Sequence, residues 1–373
     1  MTKYLLQDLD DLLGEVQAEG FSIIGPKVDQ DAITLSEISS KADLPVGVVD
    51  EQAPGHYRLH TTNKRSAFAH VVGPQSWKPQ FFAKEETLFV SETRDDAVIF
   101  RSASSESRKL AYLGMRSCDL HAIQIQDKVF LGSDFVDSHY ASRRKNKLFI
   151  AVNCSRSGEM CFCTSLDTGP FVNAVYDLLL TEVETAEEYY FLLEVGSEAG
   201  KAIADKLALQ EASQEHLQAY ENVKGQASQQ QKRLETHKLK ENIQSMLNEE
   251  AFWLDLADRC LACANCTIVC PSCFCSDTVE QSELNGENSA RVRIWDSCFN
   301  SAHSHMAGGE HREHRFARYR QWFSHKLSSW HDQFATSGCT GCGRCISWCP
   351  VGIDITAEAD RVHAAVKAKE AGA

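Results

Sequence analysis

Eight cysteines of this chain fall into two runs of the same spacing. Cys260, Cys263, Cys266 and Cys270 precede Pro271, and Cys339, Cys342, Cys345 and Cys349 precede Pro350. Each run reads C-x2-C-x2-C-x3-C-P. Three thiolates two residues apart wrap one [4Fe–4S] cubane in a tight loop. The fourth, at the start of a helix, points away and ligates the neighbouring cubane. The proline turns the chain and has no N–H that would need a partner. A lone C-x2-C also suits zinc, but two complete runs point to paired clusters. The crossed pattern assigns Cys260, Cys263, Cys266 and Cys349 to one cluster. It assigns Cys339, Cys342, Cys345 and Cys270 to the other.

Seven further cysteines stand outside these runs. Cys118 and Cys154 each follow an apolar stretch, KLAYLGM and KLFIAV, that reads as a strand. Cys161 and Cys163 arrive within ten residues of Cys154, ahead of a Gly169-Pro170 turn. Four thiolates at one sheet edge suit a third [4Fe–4S] cluster, a closed zinc site, or no metal at all. Cys273, Cys275 and Cys298 read as small buried hydrophobes.

The elements that must carry these residues follow from periodicity. Leu5, Leu9, Leu12, Leu13 and Val16 form a helical stripe over residues 4–19 that Gly20 ends. FSIIGPKV reads as a strand, residues 43–79 as an irregular wrapping loop, and TLFV and AVIF as short strands. A strand ending at Met115, a helix over about 119–130 and a strand through Val152 make a parallel unit. Open α/β sheets bind ligands at such carboxyl ends. A helix near 171–181 and the strand YYFLLEV complete an α/β domain over 1–198. Residues 199–250 are polar and helix-prone, a helical arm or linker. Residues 251–373 form a mainly α-helical, dicluster ferredoxin-like domain with a long insert between the two runs. That insert is rich in positive charge and histidine, including Arg293, His303, Arg315 and Lys326. It reads as counter-charge for anionic clusters, as a docking surface for an acidic partner, or as a histidine metal site.

Composition narrows the function classes. With 373 residues there is room for two or three domains, and 43% apolar content is ordinary for a globular protein. A net charge of -14 argues against nucleic acid and against an anionic membrane surface. No apolar run approaches the roughly 20 residues of a membrane span. The N-terminus is acidic and amphipathic, unlike a secretory signal. Cluster runs need reduced thiolates, so the expected compartment is reducing and cytoplasmic. No G-x-G-x-x-G or Walker run advertises a nucleotide site.

Longer stretches carry a family resemblance. PGHYRL, VGPQSWK, GMRSCDLHAIQIQDKVF, CFCTSLDTGP, CPSCFCSDT, RIWDSCFN, RYRQWFSHKLSSW and GCGRCISWCPVGIDI span nearly the whole chain. They resemble the beta subunit of cytoplasmic NAD(P)-linked nickel–iron hydrogenases (sulfhydrogenases), and equally the A-type iron–sulfur component of anaerobic sulfite reductase. Asp167 departs from the glycine expected there, which touches only the shape of that loop. The resemblance implies an electron-transfer subunit beside an FAD- and NAD(P)-binding flavoprotein, with a hydrogenase or a sulfite reductase as the catalytic part. A different class of function is a sulfur or polysulfide reductase acting at an open cluster in the α/β domain.

Overall fold

The computed structural model describes residues 2–94, 97–103, 107–132 and 134–372, without the side chain of Arg94. Its first layer is a mixed sheet of eight strands. Chain order runs β1 (Tyr4–Leu6), β2 (Ser22–Asp29) and β3 (Ala32–Ile38), then the hairpin β4 (Val48–Ala53) and β5 (His56–Thr61). Next come β6 (Glu85–Arg94), β7 (Ala97–Ser102), β8 (Leu110–Met115), β9 (Lys147–Val152), β10 (Leu178–Glu184), β11 (Tyr189–Val195) and β12 (Gln210–Glu211). The sheet order is β12-β1-β11-β10-β9-β8-β2-β3. Its centre, β2, β8, β9 and β10, is parallel, and antiparallel strands close both sides. Parallel strands covered on both faces read as continuous apolar runs, as LAYLGM and KLFIAV do.

Three expectations are corrected. The amino-terminal helix covers Leu9–Ala18, with the Asp8 side chain accepting from the Asp10 N–H at 3.0 Å; Tyr4–Leu6 is a strand. The stretch 43–79 holds the β4–β5 hairpin. The helix near 171–181 is absent: Leu178–Glu184 is a central strand, buried except at its end. The run LLLTEVE carries no polar face at helical spacing, and Glu182 is buried because it caps two backbone N–H groups. Its carboxylate accepts from the Ala67 and Phe68 N–H at 2.6 and 2.9 Å and from the Tyr189 hydroxyl at 2.8 Å. That latch fastens the wrapping segment to the sheet.

The carboxyl-terminal part packs helices Leu239–Met246, Glu250–Arg259, Arg315–Ser324 and Ile355–Gly372 around a second core that includes Ile243, Trp253, Phe323 and Val362. Met160 and Phe162 from the first part are members of that core. The insert adds a hairpin, β13 (Ser276–Ser282) and β14 (Asn288–Trp295), and β14 pairs with β6. A four-stranded antiparallel sheet β13-β14-β6-β7 therefore joins distant stretches of chain. Arg293 locks this contact through ion pairs to Glu86 and Asp137. Among the described residues no helix is long and apolar enough to cross a membrane.

Candidate metal centres

The two cysteine runs adopt the same loop. In the first, Ala262 and Ala264 take left-handed backbone with φ of 53° and 65°; in the second, the equivalent Gly341 and Gly343 have φ of 62° and 77°. Two left-handed residues flanking the central cysteine curl each loop so that its thiols face inward. In each loop a backbone N–H points at the first sulfur: Ala262 N to Cys260 Sγ, and Gly341 N to Cys339 Sγ, both at 3.4 Å. A short helix follows each, Asn265–Ile268 and Arg344–Ser347, and carries the chain to its fourth cysteine.

Cys260, Cys263, Cys266 and Cys349 line one cavity together with Cys345 of the second run, roofed by Phe299, Tyr319 and Trp322. The Ile353 N–H donates to Cys349 Sγ at 3.3 Å. Burial pushes the Cys266 thiol well up, and the neighbouring Cys260, Cys349 and Cys263 add to it. Cys263 is exposed, with the apolar Leu261, Ile268 and Val351 exposed around it.

Cys270 sits instead with the second run. Burial raises the thiols of Cys339, Cys342 and Cys345, and Cys270 lies within electrostatic reach of all three. Against them stands a buried cation. Lys326 Nζ lies 3.2 Å from Cys270 Sγ and donates to Ser272 Oγ and Gly338 O, both at 3.3 Å. Burial opposes its charge, but the surrounding thiols, Cys270 foremost, hold it protonated. It projects from a π-helical turn, His325–Ser329, a distortion found mostly at functional positions. Cys273 is hydrogen-bonded to Cys270.

The third quartet is assembled from the sheet edge. A register shift at Gly114 (φ 90°) interrupts β8 just before its last residue, Met115, and Cys118 falls in the first turn of the helix Ser117–Phe130. Cys154 follows β9 by two residues; Cys161 and Cys163 return in the next loop. Burial raises all four thiols. Cys163 lies in reach of Cys118, Cys154 and Cys161, and Cys342 of the second run in reach of Cys118, Cys161 and Cys163. Glycines keep the space around the sulfurs open: a Cβ at Gly158 or Gly169 would stand 3.2 Å from Cys161 Sγ or Cys163 Sγ. Gln230 Nε2 donates to Cys163 Sγ at 3.0 Å.

The donor chemistry of all three quartets fits [4Fe–4S] clusters. Counter-charge is also in place. Arg344, 3% exposed, pairs with Asp119 at 3.0 Å and donates to Gly73 O at 3.0 Å, and stands beside Cys342 and Cys118. Its Nη1 is buried without a hydrogen-bond partner, as a guanidinium facing an anionic cluster would be. Arg116 spends its guanidinium on the carbonyls of Asn153, Phe68 and His70.

Lys326 bears out the reading of the insert as counter-charge, with Nζ 3.2 Å from Cys270 Sγ; sequence reasoning missed Arg344 and Gln230 as partners of the sulfurs, and no local pattern marks them. Several of the insert's basic residues hold the fold together: Arg315 donates to Cys260 O at 2.9 Å, and Arg320 to Leu247 O at 2.7 Å. His303 meets Cys275 and Asp296, and Cys298 meets Cys275.

Residues 259–353 match the family described as a 4Fe-4S dicluster domain. The chain is 32% identical over 258 residues to the sulfhydrogenase 2 subunit beta of Pyrococcus furiosus, an alignment covering 68% of this chain and 74% of that protein. No solved structure matches it.

Proposed function

The chain belongs to the family of sulfhydrogenase beta subunits, and from that premise we propose that it relays single electrons through three [4Fe–4S] clusters between an FAD- and NAD(P)-binding flavoprotein and a nickel–iron hydrogenase. It is an iron–sulfur electron-transfer subunit of the hydrogenase type. The finer assignment concerns ligands, path and partners. Cys260, Cys263, Cys266 and Cys349 hold the first cluster. Cys339, Cys342, Cys345 and Cys270 hold the second, and Cys118, Cys154, Cys161 and Cys163 the third.

One observation carries the path. The second quartet adjoins both others: Cys342 packs with Cys118 and Cys163, and Cys345 lines the cavity of the first quartet. The order is thus third, second, first, and the first reaches the surface at Cys263. Bound clusters supply the one-electron chemistry; the protein sets their potentials through charge, burial and N–H to sulfur bonds. Here Lys326 and Arg344 add positive charge at the second and third quartets, while Phe299, Tyr319 and Trp322 cover part of the first. Four protein thiols leave no open coordination position at the third quartet, which favours relay there over reduction of sulfur. Clusters need reduced thiolates, which supports a reducing compartment such as the cytoplasm.

Iron and acid-labile sulfide counts on the anaerobically isolated full chain test this. Three clusters require about twelve irons per chain, two about eight. A count of eight that Cys118→Ser does not lower would remove the third cluster.

A further inference from the structure

The base of the β13–β14 hairpin holds a side-chain cluster that the three quartets leave unused. The antiparallel register Ser276↔Trp295 sets Cys275 opposite Asp296, whose N–H donates to Cys275 O at 3.0 Å. The chain then turns so that Cys298 meets Cys275 side chain to side chain. His303, in the turn Ser301–Ser304, bridges Cys275 and Asp296, its Nδ1 lying 2.6 Å from Asp296 Oδ2. Asn300 Nδ2 donates to the other carboxylate oxygen at 3.0 Å. Cys275, Cys298 and His303 are half-buried and so reach solvent. Cys298 also lies within electrostatic reach of Cys266 in the first quartet.

We propose that Cys275 and Cys298 form a redox-active dithiol that reduces the S–S bond of a small disulfide, with His303 carrying the proton and Asp296 as the positioning residue for His303. Its re-reduction rests on the electron-relay reading above.

The chemistry balances as follows. Cys275 thiolate attacks one sulfur of R–S–S–R and the S–S bond breaks. The leaving R–S⁻ takes the proton of the His303 imidazolium, and a Cys275–S–S–R mixed disulfide remains. Neutral His303 then accepts the Cys298 proton. Cys298 thiolate attacks Cys275 Sγ and expels the second R–S⁻, which His303 protonates. The sum is two R–SH and a Cys275–Cys298 disulfide. A cluster held by Cys260, Cys263, Cys266 and Cys349 would supply two electrons singly, and with two protons from water these would restore thiolate, thiol and imidazolium.

The pair is already differentiated for these roles. The hydrogen bonds from Cys298 and His303 hold the Cys275 thiol well below its usual value, and the same contact with Cys275, with burial, pushes Cys298 up. The bond to Cys275 raises His303 to about 9, so it is an imidazolium at neutral pH. A low attacking thiol beside a high resolving thiol is the arrangement of dithiol reductases.

The test uses the full chain isolated anaerobically with its clusters, with glutathione disulfide as the probe. Mass spectrometry after alkylation and digestion should find a Cys275–Cys298 linked peptide and two glutathiones released per chain. Cys298→Ser should stop at one glutathione on Cys275, and Cys275→Ser should do neither, with iron content unchanged in both. Alkylation of Cys275 by iodoacetamide should be nearly flat from pH 6 to 8 in the wild type. In His303→Gln, which keeps the bond from Cys298 but loses the imidazolium, it should rise more steeply with pH than in the wild type. Glutathione at Cys263 alone, or loss of iron in Cys298→Ser, would overturn the proposal. A linked peptide that dithionite-reduced clusters fail to reopen would keep the dithiol and refute the relay feeding it.

Discussion

Two cysteine quartets with the same local loop differ, residue by residue, in the charge placed against them. Lys326 Nζ stands 3.2 Å from Cys270 Sγ; the first quartet has no such ammonium in hydrogen-bonding contact with its sulfurs among the described residues. A unit charge at about 4 Å is worth about 4 kcal/mol at an effective dielectric near 20. Lys326→Met should therefore lower the potential of the second cluster by on the order of 100 mV and leave the first nearly unmoved, as read by potentiometric EPR titration. Cys349→Ser tests the crossed ligation: it should disturb the cluster of Cys260, Cys263 and Cys266. If the cluster beside Cys339 and Cys342 is lost instead, the assignment is wrong.

Among the elements, the two left-handed loops are alike in φ and unlike in surroundings. A Cβ at Gly341 would lie 2.6 Å from the backbone of Cys163, and one at Gly343 would lie 2.5 Å from the carbonyl of Met160. The first loop carries Ala262 and Ala264 at the equivalent places, both half-buried. Gly341→Ala combines a disfavoured φ with a backbone clash, so it should lower stability by about 2–3 kcal/mol. It should also reduce iron at both the second and third quartets, measured by thermal melts and iron assay. Ala262→Gly relieves left-handed strain and should shift stability by no more than about 1 kcal/mol.

Over the whole molecule, the insert hairpin is tied back to the first part through Arg293. Burial alone would raise the carboxyls of Glu86 and Asp137, but hydrogen bonds from arginine outweigh it and hold both below the usual range. Groups lowered in this way contribute stability above their unfolded pKa, near 4, and lose it as pH falls through the folded values. Arg293→Ala leaves a buried carboxylate short of a partner, which typically costs about 3 kcal/mol. The deficit should be full at pH 7 and shrink below pH 4, which denaturant melts against pH would reveal. The same interlocking means that residues 1–198 alone lack Gly341 and Arg344, so cluster counts belong on the full chain. That full chain should not oxidise NADH or NADPH until a flavoprotein partner is added. Turnover by the flavin-free chain with an artificial acceptor would overturn the relay reading.

The sequence by itself determined what depends on short range. Ligand spacing, the prolines after each run, the parallel strand–helix–strand unit and the positions of Cys118 and Cys154 at strand ends are all set within a few residues. It misread residues 171–181 as helix; residues 178–181 of that stretch begin β10, where pairing with the neighbouring strands β9 and β11 selects the extended form. Its reading of Cys275 and Cys298 as inert hydrophobes missed their pairing, since the residues between them fold out as a hairpin before the two meet. The contacts between centres belong to tertiary structure alone: Gly341 against Cys163, Arg344 against Asp119, Lys326 against Cys270. Each joins residues dozens to hundreds of positions apart, and at Gly341 the loop backbones pack so closely that a single Cβ decides whether they meet.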